Sequence, residues 1–135
     1  MEFNAADIFE GVVKRIPDRE AVVLGNTRFT YKELDARANK AAHALKKLNV
    51  SKGSHIGIYA FNCIEWLEIM LGAYKLCAIP ININYRYVEE ELKYLIDNAD
   101  MEAIFFHKQF SEKLLNISKD LPLLKTYVSI DDQSD

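Results

Sequence analysis

The sequence is poor in glycine, and its five glycines, at positions 11, 25, 53, 57 and 72, write neither G-x-G-x-x-G nor G-x-x-x-x-G-K-[ST]. The tight turns that aim backbone N–H groups at a nucleotide phosphate are therefore missing, and any grip on phosphate must come from elsewhere. Cysteine is nearly absent too. Cys63 and Cys77 lie fourteen apart without the paired spacing of a zinc site, which excludes a metal-held or disulfide-held scaffold; both read as buried free thiols in an apolar segment. Long apolar runs are lacking: the most apolar stretch, Ile64 to Cys77, is interrupted by Glu65, Glu68 and Lys75 and is too short for a membrane span, so it reads as a core helix. There is no basic excess, since 17 Lys and Arg face 20 Asp and Glu, and a net charge of -3 argues against nucleic acid as a partner. The first seven residues hold two acids and no base, unlike a secretory signal, so the expected location is cytoplasmic and the N-x-S triplets at Asn49 and Asn116 read as chance matches.

Catalytic signatures are equally scarce. His43, His55 and His107 fall in separate segments, on an exposed helix face, entering a strand and leaving one, without the spacing of a zinc helix. No serine stands in G-x-S-x-G, and the first long strand ends in Ala60-Phe61-Asn62 rather than in the acid of a phosphoacceptor. No catalytic residue and no metal ligand is assigned.

What is present is an ordinary globular composition, 50% hydrophobic and 27% charged over 135 residues, enough to bury about two thirds of the unfolded surface. Asn4 before Ala5-Ala6-Asp7-Ile8 reads as a helix N-cap, with Phe3 placed to staple onto Ile8 and Pro17 marking the end. Glu20 to Leu24 and Thr27 to Thr30 flank Gly25-Asn26, a pair suited to a type II′ hairpin. Thr30 and Glu33 have capping-box spacing, and Leu34, Ala38, Ala41, Leu45 and Leu48 recur at helical intervals.

Strands at His55 to Ala60, Ala78 to Ile83, Glu102 to Phe106 and Leu124 to Ile130 then alternate with helices at Ile64 to Cys77, Val88 to Asn98 and Phe110 to Ser118. Alternation of this kind predicts an α/β fold, a Rossmann-like layered domain with a mostly parallel sheet plus a small N-terminal β-hairpin. Pro80 puts its strand near an edge. Val88, Leu92, Leu95 and Ile96 are expected on one buried helix face, and Ile56, Ile58, Leu67, Met70, Leu71, Ile81, Ile83, Ile104 and Phe105 elsewhere in the core. Residues 1–130 read as one subdomain and 131–135 as a frayed tail.

Open parallel sheets take ligands beyond the carboxyl ends of their strands. That rule selects the loops Phe61-Asn62-Cys63, Asn84-Tyr85-Arg86-Tyr87 and His107-Lys108-Gln109. Arg86 could fork onto a carboxylate or phosphate and Tyr85 could line a pocket, or the arginine could tie loop carbonyls and the tyrosine cap the sheet. Asn62 and Trp66 are the other candidate substrate-binding walls, with core packing the competing reading for the tryptophan.

Phe29-Thr30-Tyr31-Lys32-Glu33-Leu34 resembles the early "TYxEL" motif of the AMP-forming acyl-CoA synthetases, the adenylate-forming enzymes. In order behind it come Ala38-Asn39 and Ala42, Gly53 through Ile58-Tyr59 in the place of "GDxVai", then Asn62, Glu65-Trp66 and Leu71-Gly72-Ala73 like "N…ew…lGa". Ala78-Ile79-Pro80-Ile81-Asn82 with Glu91-Leu92 and Leu95 is similar to "GAvxvPlN…ELxyxL". Cys77 departs from the pattern, where a glycine commonly precedes that alanine. The resemblance implies the amino-terminal portion of an ATP-dependent acid–thiol ligase, which makes an acyl-adenylate and passes the acyl group to CoA. It implies ATP, Mg and CoA for the full-length family and none of them bound by this chain alone, because "SGTTGxPKG", "YGxTE", "TGD" and the late lysine all lie beyond this region. The implied partner is the remainder of the synthetase, or a second copy through an uncovered apolar face. A stand-alone, non-catalytic α/β binding or regulatory module is the alternative.

Overall fold

A computed structural model describes residues 3–131. The chain forms two compact units, one made of residues 1–52 and 63–78 and the other of residues 53–62 and 79–135. Of the tail expected at 131–135, Asp131 has no regular structure and the rest lies outside the described residues.

The first unit holds α1 (Ala5–Arg15), β1 (Glu20–Leu24), β2 (Thr27–Thr30), α2 (Tyr31–Lys47) and α3 (Ile64–Lys75). Both capping expectations hold. The Asn4 side chain accepts from the Ala6 N–H at 2.6 Å while Asp7 accepts from the Asn4 N–H at 3.2 Å, and Thr30 and Glu33 make the same reciprocal pair at 3.2 and 2.8 Å. Each cap is worth about 1 kcal/mol, because it satisfies helix-end N–H groups that have no intrahelical partner. The staple does not form: Phe3 and Ile8 are both largely exposed. In the hairpin only the first central residue, Gly25, has positive φ, at +57°, as a type II′ turn requires.

α2 buries Leu34, Ala38, Ala42 and Leu45. Of the residues expected with them, Ala41 is half-buried and Leu48, beyond the helical stripe at the C-cap, is exposed. Leu34, Ala38 and Leu71 form the centre of the unit, with Phe9, Ala21, Val22 and Met70 packed around it. The close packing of α3 on α2 depends on Gly72, where an added Cβ would stand 2.9 Å from the Ala42 backbone nitrogen. Lys75, nearly buried, bridges Glu10 of α1 at 2.6 Å and Asp35 of α2 at 2.8 Å. Arg37 pairs with Glu68 across α2 and α3, and its guanidinium lies 4.8 Å over the Phe29 ring.

The second unit contains β3 (His55–Tyr59), β4 (Ile79–Asn82), α4 (Glu89–Asn98), β5 (Ala103–His107), a 3-10 turn (Lys108–Phe110), α5 (Ser111–Ser118) and β6 (Thr126–Ile130). Its four strands form one parallel sheet in the order β4-β3-β5-β6. The α/β class with a parallel sheet and a separate hairpin is thus as expected. Pro80 sits on edge strand β4. Ile79 donates to the carbonyl of Ser54, just before β3, and Ile83 to that of Ile58 in β3, so the position without an N–H is the one that faces away from the ladder.

Tyr59, Ile83, Leu92, Ile96, Met101, Ile104, Phe106, Phe110, Leu114, Ile117, Leu121 and Leu124 make the core of this unit. Ile56, Ile58 and Phe105 are buried as expected, whereas Leu67, Met70, Ile81 and Leu95 are only half-buried. Val88 is 58% exposed because it is the N-cap of α4, outside the helical stripe.

Three helices end in the same way without a glycine. Asn49, Cys77 and Asp100 take φ of 66°, 57° and 50° just past α2, α3 and α4. The next N–H in each case returns to the helix: Val50 to Leu45 at 3.0 Å, Ala78 to Ala73 at 2.9 Å, Met101 to Ile96 at 3.2 Å. These are Schellman closures, and Val50, Ala78 and Met101 are the buried apolar residues that such closures fold inward. Cys77 therefore occupies a left-handed position that glycine takes without cost, and it is exposed rather than buried; Cys63, the N-cap of α3, is half-buried.

Candidate functional site

At the carboxyl ends of the parallel strands the second unit gathers its aromatic side chains. β3 runs into Phe61, whose ring lies 4.6 Å from Tyr85 beyond β4, 5.7 Å from His107 at the end of β5, and 5.4 Å from Phe110. Phe110 in turn stacks on Tyr59 at 4.2 Å. The Phe61 N–H donates to His107 Nδ1 at 3.0 Å, so that nitrogen carries the lone pair and the imidazole proton belongs on Nε2. This bond ties the loop after β3 to the end of β5.

The loop after β4 is a turn closed by Tyr87 N–H to Asn84 C=O at 3.1 Å and by Arg86 N–H to Asn84 Oδ1 at 2.9 Å. The asparagine holds the turn with its own side chain, leaving the Tyr85 and Arg86 side chains on the outside, both exposed. The Arg86 guanidinium is 5.7 Å from the Tyr85 ring, within cation–π range.

Of the residues singled out from the sequence, Tyr85 and Arg86 stand together here, and Asn62 follows Phe61 in the loop after β3, exposed. Trp66 lies in the first turn of α3, in the other unit, and is half-buried. The hub, Phe61, is a residue whose loop the positional rule selects but whose own role no spacing signals. His107 leaves a strand, as expected, and is buried. His43 is exposed on α2, and His55 enters β3 with Nδ1 2.6 Å from the Ala99 carbonyl.

The electrostatics are quiet. Burial raises the Tyr59 phenol above its ordinary value, and the hydroxyl has no hydrogen-bond partner among the described residues. Burial also pushes the Cys63 thiol up, against the opposing backbone N–H of Trp66. No group of three or more His, Cys, Asp or Glu among the described residues is arranged to hold a metal ion. No helix of the described residues is long and apolar enough to cross a membrane. The geometry offers an exposed arginine beside one aromatic ring at the carboxyl edge of a parallel sheet.

Residues 9–135 match the sequence model of the AMP-binding enzyme family, and the chain belongs to that family. It is 42% identical over its whole length to the 3-oxocholest-4-en-26-oate–CoA ligase of Rhodococcus rhodochrous. It is 43% identical over 98% of its length to the medium/long-chain-fatty-acid–CoA/3-oxocholest-4-en-26-oate–CoA ligase of Mycobacterium marinum. It spans 24% of each of those curated relatives. Among solved structures it is similar to the anthranilate CoA ligase AuaEII in complex with anthranoyl-AMP, with a TM-score of 0.88 at 27% identity, covering 95% of this chain and 25% of that one. The match corresponds to the amino-terminal part of AMP-forming acyl-CoA ligases.

Proposed function

We propose that this chain is the amino-terminal part of a working acyl-CoA ligase. The full-length protein activates a carboxylic acid with ATP and Mg²⁺ to an acyl-adenylate and transfers the acyl group to CoA. One observation carries the reading: the sequence aligns from end to end with CoA ligases while spanning 24% of their length. The named relatives point to a large apolar carboxylic acid, of the fatty-acid or sterol side-chain kind, as the substrate class.

ATP with Mg²⁺ does not fit the residues present. The sequence has no glycine-rich phosphate loop, and the described residues have no cluster of metal ligands. No chemical step is assigned to these residues. Their role is to wall the site: Arg86 with its planar fork receives a phosphate or carboxylate of a ligand, Tyr85 offers a ring face beside it, and Asn62 borders the same edge. The reading places the protein in the cytoplasm, with the remainder of the ligase as its partner and a second copy covering exposed apolar surface when the chain stands alone.

The test is the intact mass of the natural gene product, captured with an antibody against this chain, together with carboxylate-dependent ATP–pyrophosphate exchange. The expected result is a product several times heavier than 15.5 kDa that catalyses exchange, and an isolated chain that does not. A natural product of 15.5 kDa would overturn the proposal and leave a stand-alone binding module.

A further inference from the structure

The distribution of charge along α2 is uneven. Between Ala36 and Gly53 the basic residues are Arg37, Lys40, Lys46, Lys47 and Lys52, without a single acid, in a chain whose net charge is -3. At about 100° per residue, Lys32, Ala36, Lys40, His43 and Lys47 fall on one narrow stripe opposite Leu34, Ala38 and Leu45, which face the core. All five stripe residues are exposed. Arg37 is engaged with Glu68, but Lys32, Lys40, Lys46 and Lys47 form no ion pair with the described residues.

We propose that this stripe docks on the anionic surface of a lipid bilayer. Along this helix of 17 residues the charges from Lys32 to Lys47 span about 22 Å, which suits a plane of diffuse charge better than a pocket. The cations are lysines, compact point charges, rather than the arginine forks that read single phosphates bidentately. No aromatic side chain interleaves with them to stack on a nucleic-acid base. Ala36, between Lys32 and Lys40 on the stripe, leaves room for close approach. The inference rests on this face alone, independent of the ligase reading.

Each lysine brought to an anionic surface strengthens partitioning by about fivefold at low salt. The test is co-sedimentation of the purified chain with vesicles of phosphatidylcholine containing about 30% phosphatidylserine, and with phosphatidylcholine alone, at low and high salt. Binding to the anionic vesicles only, lost at high salt, is expected. Lys40→Glu/Lys47→Glu should abolish it. Lys119→Glu/Lys125→Glu, which changes net charge equally at exposed sites in the other unit, should lower it by less than threefold. Lys40→Gln/Lys47→Gln should weaken binding about twentyfold and serves if the reversal perturbs folding. Absence of binding, equal binding to neutral vesicles, equal loss in the two glutamate variants, or stronger binding to a polyanionic RNA at the same salt would each overturn the proposal.

Discussion

Replacing glycine by alanine inside a helix has opposite consequences at two sites of the first unit, and the difference is set by what lies against each α-carbon. At Gly11 of α1 an added Cβ meets nothing within 4 Å. Gly11→Ala should therefore express the helix propensity difference alone and stabilise by about 0.5–1 kcal/mol. At Gly72 of α3 the same Cβ would lie 2.9 Å from Ala42 N, 3.1 Å from Ala41 Cβ and 3.2 Å from Ala41 C. Two of those atoms are helix backbone and cannot rotate away, so α2 and α3 must separate by several tenths of an ångström, loosening contacts along their length. Overpacking of this kind costs about 1–3 kcal/mol. Against a propensity gain near 1 kcal/mol, the net should be a loss of up to about 2 kcal/mol, or up to several degrees in Tm, where Gly11→Ala gains. Urea titrations followed by far-ultraviolet circular dichroism, with wild type and both variants side by side, give the comparison. If Gly72→Ala matched or exceeded Gly11→Ala in stability, the close approach of the two helices would be wrong.

Cys77→Gly should stabilise by about 0.5–1 kcal/mol by relieving the left-handed conformation past α3, read as a higher urea midpoint at unchanged slope; a lower midpoint would mean that the 3.3 Å contact from the Asn4 amide to the sulfur outweighs the strain. Lys75→Met should cost about 2 kcal/mol at neutral pH, since it leaves Glu10 and Asp35 without their shared cation. Burial pulls the Lys75 ammonium down, but its hydrogen bonds to Asp35 and Glu10 outweigh this and raise it above 10.5, so its contribution is complete below that value and lost as pH rises through the folded one. Between neutral pH and about 10.5 the gap between wild type and Lys75→Met should accordingly hold and then narrow as pH rises further, and narrowing between about pH 7 and 10 would contradict the assignment. Tyr59→Phe should be neutral or stabilising by about 1 kcal/mol, because the hydroxyl has no partner among the described residues; a loss above 1 kcal/mol in the same titration would show that it is bonded.

Helix starts were legible because their signals are local. Asn4 with Asp7 and Thr30 with Glu33 bond residues three apart, and the side chains that make those bonds are the ones the spacing names. Strand identity was legible for a related reason, since Ile56, Ile58, Ile104 and Phe105 are buried whichever way the sheet is ordered. Helix ends were harder to read. Asn49, Cys77 and Asp100 close three helices in the same left-handed conformation, but none is a glycine, and the signal lies instead in the buried residue that follows each of them.

The site shows where local reading stops. Positional reasoning selected the loops after β3, β4 and β5, and named Arg86 and Tyr85, consecutive residues whose guanidinium and ring lie 5.7 Å apart. It passed over Phe61, because a single aromatic after a strand has no periodicity, and its partners Tyr85, His107 and Phe110 are 24, 46 and 49 positions away. What brings them together is strand order: β4 and β5 flank β3 on either side, so their carboxyl ends must both open beside Phe61. A chain whose strands followed one another in sequence order would put β5 beyond β4 and separate His107 from Phe61 by a further strand spacing of about 4.8 Å, too far for the ring nitrogen to accept the loop N–H. The aromatic edge is thus a property of topology. Substitutions at Phe61 should therefore disturb the loop after β4 and the end of β5 together, although neither is its neighbour in sequence.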